Sequence, residues 1–560
     1  MTKGSDHPES DLRNSGRRQV LVAGAALAAT AAMAGKAAAQ APRPPATPPA
    51  GLAAGGGSSN IFQVTQTATG KVQGIANGPV WEFKGIPYGA PTGGRNRYMP
   101  PKKPAPWTGV RECFAYTSVC PQTQADIRGE YGQLIMWDRQ VGGMGEDCLS
   151  LNVWTTNVDR GAKKAVMVSF HGGGFSTGSG NAPGFDGKNL AYYGDVVVVC
   201  INHRLASFGY TDLVGAGAPE AFRYAGVAGA LDMVAALQWV RDNIENFGGD
   251  PGRVMIFGQS GGGAKTSTVL AMPPAKGLFH RAAVQSGSAL RLVTPEAGAA
   301  TAEKFVRQLG LGKGNIADIQ KLSWQQLLEA QTAAGGAFSP VIGTDALPNH
   351  PFDPVAPAVS ANVPMIVSTT LEDAALALTN FGLTEDGLVA LFNQRWPGKG
   401  RELVSLYRRY DPIATPFLIQ AQAFTDAGAR RAAYTQAARK AALGAAPAYV
   451  YEWNWRTPAY DGQFGAVHGI DVSATFHSYR DGFLGGSTAG KKMADRLASS
   501  FATFAKTGDP NNSHIPPWTP YSDAQRAVLL FDNDTRQEIN PRAEIRAYWD
   551  ANPPAPGPRG

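Results

Sequence analysis

Cysteine is scarce in this chain: four in 560 residues, at positions 113, 120, 148 and 200. Their spacing shows neither a CxxC pair nor a zinc pattern, which argues against a thiol-ligated metal centre. Basic runs are missing too. Lys and Arg are scattered, and the formal charge of +7 is modest for this length. With no nucleic-acid motif alongside, that charge reads as a solvated surface, not a polyanion-binding face. The Ala-rich stretch from Val20 to Gly35 is shorter than the ~20 residues a helix needs to span a bilayer. No later segment supplies such a run, so no stable membrane anchor is expected. What is present in quantity is glycine and proline, 67 and 40 residues, which implies many loops and tight turns on one scaffold. Hydrophobic and charged fractions of 43% and 17% are those of a globular protein and exclude wholesale disorder.

The first 39 residues read as a targeting segment. Arg17-Arg18 precedes the weakly apolar stretch, and Ala37-Ala38-Ala39 follows it. A charged region, an apolar region and a small-residue cleavage site define an export signal, and the paired arginines are similar to a twin-arginine signal. Residues 40–59, rich in Pro, Ala and Gly, read as a flexible tether. Residues 60–560 are expected to form a single catalytic domain in an exported, periplasmic or secreted protein. In such a compartment at least one disulfide is expected.

From Ile61 onward, strand-like and helix-like runs alternate. Ala165–Phe170, Val196–Ile201 and Val254–Phe257 are short apolar runs bounded by turn residues, as suits parallel strands buried on both faces. Between the second and third, apolar residues at 231, 234, 237, 240, 244 and 247 predict an amphipathic helix over Val227–Asn246. Gly248-Gly249-Asp250-Pro251 closes it. This rhythm predicts an α/β fold with a doubly wound, mostly parallel sheet. Residues 300–440 read as largely helical insertions over that sheet.

Two segments match G-x-S-x-G, a weak signal alone in a glycine-rich chain: Gly174–Gly178 around Ser176, and Gly258–Gly262 around Ser260. Only the second lies between a strand and a helix, Val254–Phe257 before it and Ala264–Met272 after it. A nucleophile elbow needs that strand–turn–helix setting, because the Ser occupies a strained turn with its oxygen at a helix N-terminus. Ser260 is therefore the candidate nucleophile. The first match runs into Gly178-Ser179-Gly180-Asn181-Ala182-Pro183-Gly184, which cannot be helical. It belongs instead to His171-Gly172-Gly173-Gly174, where successive glycines can turn backbone N–H groups toward one point. Gly173 and Gly174, with Gly261, are the candidate oxyanion hole, each donor being worth ~3 kcal/mol in the transition state.

These residues carry a family resemblance. The chain resembles the type B carboxylesterases, which include cholinesterases and bacterial para-nitrobenzyl esterase-like enzymes, from about Phe62 to Trp549. Besides the two glycine motifs, the resemblance rests on Phe83–Gly89, Pro106–Val110, Glu146–Val153, Asn202–Leu205, Phe247–Pro251 and Phe504–Pro510. It implies the α/β-hydrolase fold with helical insertions forming a substrate gorge. It also implies His468, within Gly465-Ala466-Val467-His468-Gly469, as the catalytic base. The chain order Ser, acid, His agrees; His477, the nearest competitor, lacks the flanking glycines. For the acid, the register of Pro364–Ala374 gives Asp373, with the adjacent Glu372 as the alternative and otherwise a mere loop charge. The resemblance further implies a Cys120–Cys148 disulfide, with Cys113 as the alternative partner and Cys200 reduced within its strand.

Several departures from the family pattern bear on substrate. Gln259 precedes the nucleophile where many relatives carry Glu, Gly261 replaces Ala, and Asp373-Ala374 replaces the usual Glu-Gly. Losing the carboxylate at position 259 weakens any case for a cationic choline substrate. Trp137 reads as a gorge or core aromatic. The expected activity is hydrolysis of a small-molecule carboxylic ester through an acyl-enzyme, with no metal or organic cofactor. Amide or carbamate hydrolysis by the same triad is the alternative, and a non-catalytic adhesion protein of the same fold a remote one.

Overall fold

A computed structural model describes residues 61–123, 136, 141–336, 338–480 and 482–554. Residues 1–39 and 40–59, expected to be an export signal and a tether, and Trp137 lie outside the described residues. The N-terminal strands β1 (Phe62–Gln66), β2 (Lys71–Asn77) and β3 (Val80–Pro87) run antiparallel. The short β4 (Val110–Glu112) pairs with β2, and β5 (Ser150–Thr155) joins β3 to the rest of the sheet. The central strands are β6 (Lys164–Phe170), β7 (Val197–Ile201), β8 (Gly249–Gln259), β9 (Arg281–Gln285), β10 (Met365–Thr370), β11 (Ala448–Trp453) and β12 (Ala527–Phe531). They pair in parallel in the spatial order β7-β6-β8-β9-β10-β11-β12, and β13 (Arg536–Ile539) closes the far edge antiparallel.

The apolar runs seen in sequence are these central strands. Alternate residues feed two separate cores, one on each face of the sheet. Val166, Val168 and Phe170 of β6 pack on one side with Val197, Val199 and Ile201 of β7. Met167 of β6 and Val198 and Cys200 of β7 face the other core. The first core is covered by α1 (Ala228–Asn243), through Met233, Leu237 and Val240. The second is covered by α3 (Thr488–Thr507), through Leu497, Phe501 and Phe504, and α2 (Gly261–Leu270) follows β8. Each fully buried aliphatic side chain of this kind contributes ~1.5–3 kcal/mol, and double-faced burial explains why these strands lack polar alternation.

Chain direction fixes where chemistry can occur. From β6 the chain moves to β7 on one side and then crosses back over β6 to β8 on the other. The winding therefore reverses between β6 and β8, and in open α/β sheets the crevice beyond the strand ends at such a point is where ligands bind. His171 follows β6 there, and Ser260 follows β8.

Helices fill the 300–440 segment as expected, including Pro295–Gln308, Trp324–Ala334 and a run from Glu385 to Ala442, but β10 passes through its middle. Several family-like motifs build this frame. Arg97 holds the Glu146 carboxylate with two bonds of 2.7 Å. Arg204, beyond the end of β7, grips Asp232 of α1 with bonds of 2.8 and 2.7 Å, both side chains being buried. Among the described residues no helix is long and apolar enough to cross a membrane.

Candidate active site

Ser260 sits at the turn between β8 and α2 with φ 60° and ψ −124°, a conformation that costs a non-glycine residue of order 1–3 kcal/mol. The surroundings hold it there. Its N–H donates to Gln285 O of β9 at 2.8 Å, and its carbonyl accepts from Ala264 N at 3.0 Å. Sequence reasoning began the helix at Ala264, because glycine is a poor helix former. In the structure Gly261, Gly262 and Gly263 form its first turn. The reason is close approach: a Cβ on Gly262 would lie 2.0 Å from Phe170 O, and one on Gly261 would lie 2.2 Å from Gly174 N. The glycines bring the first turn of α2 against the end of β6 and the loop after it. Gly261 and Gly174 are thereby packed together, and Gly173 and Gly174 both adopt positive φ. Ser176, the rejected match, lies exposed in the same loop.

His468 and Asp373 meet in a buried pair, with His468 Nδ1 and Asp373 Oδ1 2.6 Å apart. The second oxygen, Asp373 Oδ2, accepts from Ser286 Oγ at 2.5 Å and from Thr370 N at 3.1 Å. Burial opposes the Asp373 charge, but His468, Ser286 and Thr370 together hold its carboxyl below the usual carboxylate range. Burial likewise opposes the imidazolium. The Asp373 charge and hydrogen bond, with a further contribution from Asp471, outweigh it and hold the His468 pKa above the ordinary histidine value. A bonded path runs through the whole arrangement. Ser260 N is tied to Gln285, Ser286 follows Gln285 in the chain, and Ser286 reaches the acid that carries His468.

Glu372 points elsewhere. Fully buried, it accepts from Arg456 Nη2 at 2.6 Å and Gln422 Nε2 at 2.9 Å through one oxygen, and from Ala466 N at 2.7 Å through the other. Its own N–H donates to Ala466 O at 3.1 Å. The expectation that Glu372 is a mere loop charge is corrected: it ties the acid loop to the segment that bears His468.

The other histidines weighed in sequence have partners elsewhere. His477 Nε2 lies 2.8 Å from Asp495 Oδ1, and its ring stacks on Tyr193. The His171 ring stacks on His203 with centroids 4.9 Å apart. Sequence reasoning missed Ser286, Gln285 and Asp471. Asp471, three residues after His468, accepts from Tyr451 Oη at 2.7 Å and Gln285 Nε2 at 3.0 Å. Burial pushes its carboxyl up despite those bonds. The available signal was Gln285-Ser286-Gly287 at the end of a strand, placing polar side chains at the same sheet edge as Ser260.

All four cysteines are buried free thiols. The expected Cys120–Cys148 bridge is not formed in this structure, although the neighbouring Cys120 thiol and burial together push the Cys148 thiol up. Cys200 lies within β7 as expected and sits 3.2 Å from Phe185 O. Among the described residues no group of three or more His, Cys, Asp or Glu side chains could hold a metal ion.

A buried Asp–His pair beside a strained serine elbow and a glycine loop, at the reversal of a doubly wound sheet, is the geometry of an α/β-hydrolase. The sequence pattern of the carboxylesterase family matches residues 62–396 and 418–549. The chain belongs to the carboxylesterase family. It is 32% identical over 501 residues to the para-nitrobenzyl esterase of Bacillus subtilis (strain 168), covering 86% of this chain and 98% of that protein. It is 29% identical to the phenmedipham hydrolase of Pseudarthrobacter oxydans, over 84% of this chain and 95% of the relative. Among solved structures, an esterase from anaerobic Clostridium hathewayi that can hydrolyse aliphatic aromatic polyesters superposes with a TM-score of 0.76 at 31% identity, covering 88% of this chain and 98% of that one. This carboxylesterase is a serine ester hydrolase of the α/β-hydrolase fold.

Proposed function

We propose that Ser260, His468 and Asp373 form the catalytic triad and that the N–H groups of Gly173, Gly174 and Gly261 form the oxyanion hole. The observation that carries this reading is the buried 2.6 Å contact between Asp373 and His468, at the strand ends that also present Ser260. Asp373 fixes the imidazole with its Nδ1 proton toward the carboxylate, leaving Nε2 to take the Ser260 Oγ proton. Ser260 then attacks the ester carbonyl, and the developing oxyanion is held by the glycine N–H groups. His468 returns the proton to the departing alcohol, and water deacylates the enzyme by the same route. The substrates are small, uncharged carboxylic esters. Gln259 beside the nucleophile leaves no carboxylate there to attract a cationic alcohol group. Similarity to a phenmedipham hydrolase favours carbamates as the second substrate class.

Residues 1–39 are read as a twin-arginine export signal and 40–59 as a tether, so that the enzyme acts outside the cytoplasm. In that compartment Cys120 and Cys148, neighbouring thiols here, are expected to pair.

The test is a set of nitrophenyl esters, a carbamate and an anilide offered to the wild type, Ser260→Ala and Ser176→Ala, with an organophosphonate probe. Turnover of esters, and labelling lost only in Ser260→Ala, supports the reading. Labelling that persists in Ser260→Ala removes it.

A further inference from the structure

Lys265 is an unusual residue to find where it is. It lies in α2, five residues after Ser260, with its side chain fully buried. No carboxylate among the described residues forms an ion pair with it. Its Nζ donates to the backbone carbonyl of His171 at 2.8 Å and lies 3.4 Å from His171 Nδ1. Burial pushes its ammonium strongly toward the neutral amine, a form that still donates to the carbonyl. Surface-seeking lysine chains almost never stay fully buried without a charged partner, so this one needs a reason.

The bonded carbonyl supplies the reason. His171 is the first residue after β6 and opens the loop holding Gly173 and Gly174. The proposed oxyanion hole draws its donors from two separate pieces of chain, that loop and the start of α2 at Gly261. Their relative placement is set by the contact between α2 and the segment 170–174. The glycines make this contact through backbone: Gly262 against Phe170 O, and Gly261 against Gly174. Lys265 adds a directed side-chain bond to the same contact, one turn further along the helix.

We propose that Lys265 is a positioning residue of the oxyanion hole, its Nζ–carbonyl bond to His171 clamping the glycine loop to the nucleophile's helix. This rests on the reading of Gly173, Gly174 and Gly261 as the oxyanion donors. Donors worth 10²–10³-fold each in turnover must be held within a few tenths of an ångström of their productive positions, ~2.7–3.1 Å from the developing oxyanion. A loop freed to drift loses part of that stabilisation and little ground-state binding.

Two variants bracket the bond. Lys265→Met removes the donor, and Lys265→Gln keeps one on a chain one atom shorter. Both are measured for kcat and KM on a nitrophenyl ester, for thermal midpoint, and for affinity toward an alkyl trifluoromethyl ketone. Ser260 Oγ adds to that ketone's carbonyl carbon, its proton passes to His468, and the hemiketal oxygen remains as an oxyanion. For Lys265→Met we expect kcat to fall about 10- to 100-fold with KM within about threefold of wild type. Ketone affinity should fall by the same factor as kcat/KM, and Lys265→Gln should lie between. A folded Lys265→Met with kcat within about twofold of wild type, or with lost activity but unchanged ketone affinity, overturns the proposal. If Lys265→Met does not fold, Lys265→Gln decides: a parallel loss of kcat and ketone affinity supports the clamp, and unchanged values overturn it. Phosphonate labelling of the same samples separates the two levels. A wild type unlabelled at Ser260 removes the underlying reading. A labelled wild type whose ketone affinity survives in Lys265→Met removes only the assignment of Lys265.

Discussion

Glu372 and Asp373 are neighbours in the chain, yet their carboxylates serve different partners: Asp373 Oδ1 meets His468 Nδ1, whereas Glu372 Oε2 accepts from the Ala466 backbone. The separation follows from backbone direction. Glu372 continues the line of β10 as an isolated bridge to Val467, while Asp373 begins a 3₁₀ turn. One acid holds the imidazole and the other holds the loop that carries it.

That division makes the two acids separable by experiment. Asp373→Asn should lower kcat by about 10⁴-fold with the fold intact, because the amide leaves the imidazole tautomer and imidazolium unsupported. Glu372→Gln should act mainly on stability. It takes one of two carboxylates from the Arg456 guanidinium, which keeps Asp411, and the loss of that charged hydrogen bond in a partly buried site costs about 1.5–3 kcal/mol. Urea unfolding midpoints beside steady-state kinetics will check both. A Glu372→Gln protein of normal stability with 10⁴-fold lower kcat would reverse the assignment.

How far this site was readable in sequence depends on how local each signal was. The Ser260 elbow was legible because a strand, a turn and a helix all fall within Gly249–Leu270, and the apolar runs of β6, β7 and β8 placed it at a sheet edge. His468 and Asp373 were reachable only through family resemblance, since nothing in their own neighbourhoods specifies a partner 95 residues away. Ser286 and Lys265 escaped altogether. Each acts through a single side-chain bond to another segment, and no periodicity records such a bond. Glu372 was misjudged for the same reason, its carboxylate being held by the side chains of residues 422 and 456 and the backbone N–H of residue 466.

The pH dependence follows from the Asp373–His468 pair. A base must be neutral to act, so with His468 in the proposed role activity should rise as it loses its proton. Because Asp373 outweighs burial and holds that pKa up, the acid limb of kcat/KM should lie above the ordinary histidine value of about 6.5. Ser286→Ala removes one of the bonds that keep Asp373 ionised, but His468 and the Thr370 N–H still hold that carboxylate down, so it stays charged across the acid limb and the limb should move little. An acid limb in Ser286→Ala displaced from that of wild type by about one pH unit or more would contradict this.

Stability carries the same signature with a defined sign. The raised His468 pKa contributes stability that is complete below the unfolded value and lost as pH rises through the folded one. The lowered Asp373 pKa contributes stability present above its unfolded value and lost as pH falls through the folded one. The two overlap between about pH 4 and pH 6.5. The stability gap between wild type and Asp373→Asn should therefore be widest there and shrink at higher pH. Denaturation midpoints taken at about pH 5.5 and pH 9 test this, and a gap that widens at the higher pH would be inconsistent with the pair.

The cysteines give the last prediction. Cys120 and Cys148 are neighbouring buried thiols, and the Cys120 side chain together with burial pushes the Cys148 thiol up, so as a thiol it is a poor nucleophile. Pairing should therefore need the oxidising compartment and its catalysts. A link between them closes a loop worth roughly 3.5 kcal/mol in the chain-entropy model. Enzyme recovered from outside the cytoplasm should show both as one disulfide by non-reducing peptide mapping, with Cys113 and Cys200 free. Enzyme made in a reducing cytoplasm should keep four thiols and unfold at lower denaturant. Cys120→Ala should bring the exported protein down to the stability of the reduced form. A mapped Cys113–Cys120 or Cys113–Cys148 link in the exported protein would instead identify Cys113 as the partner.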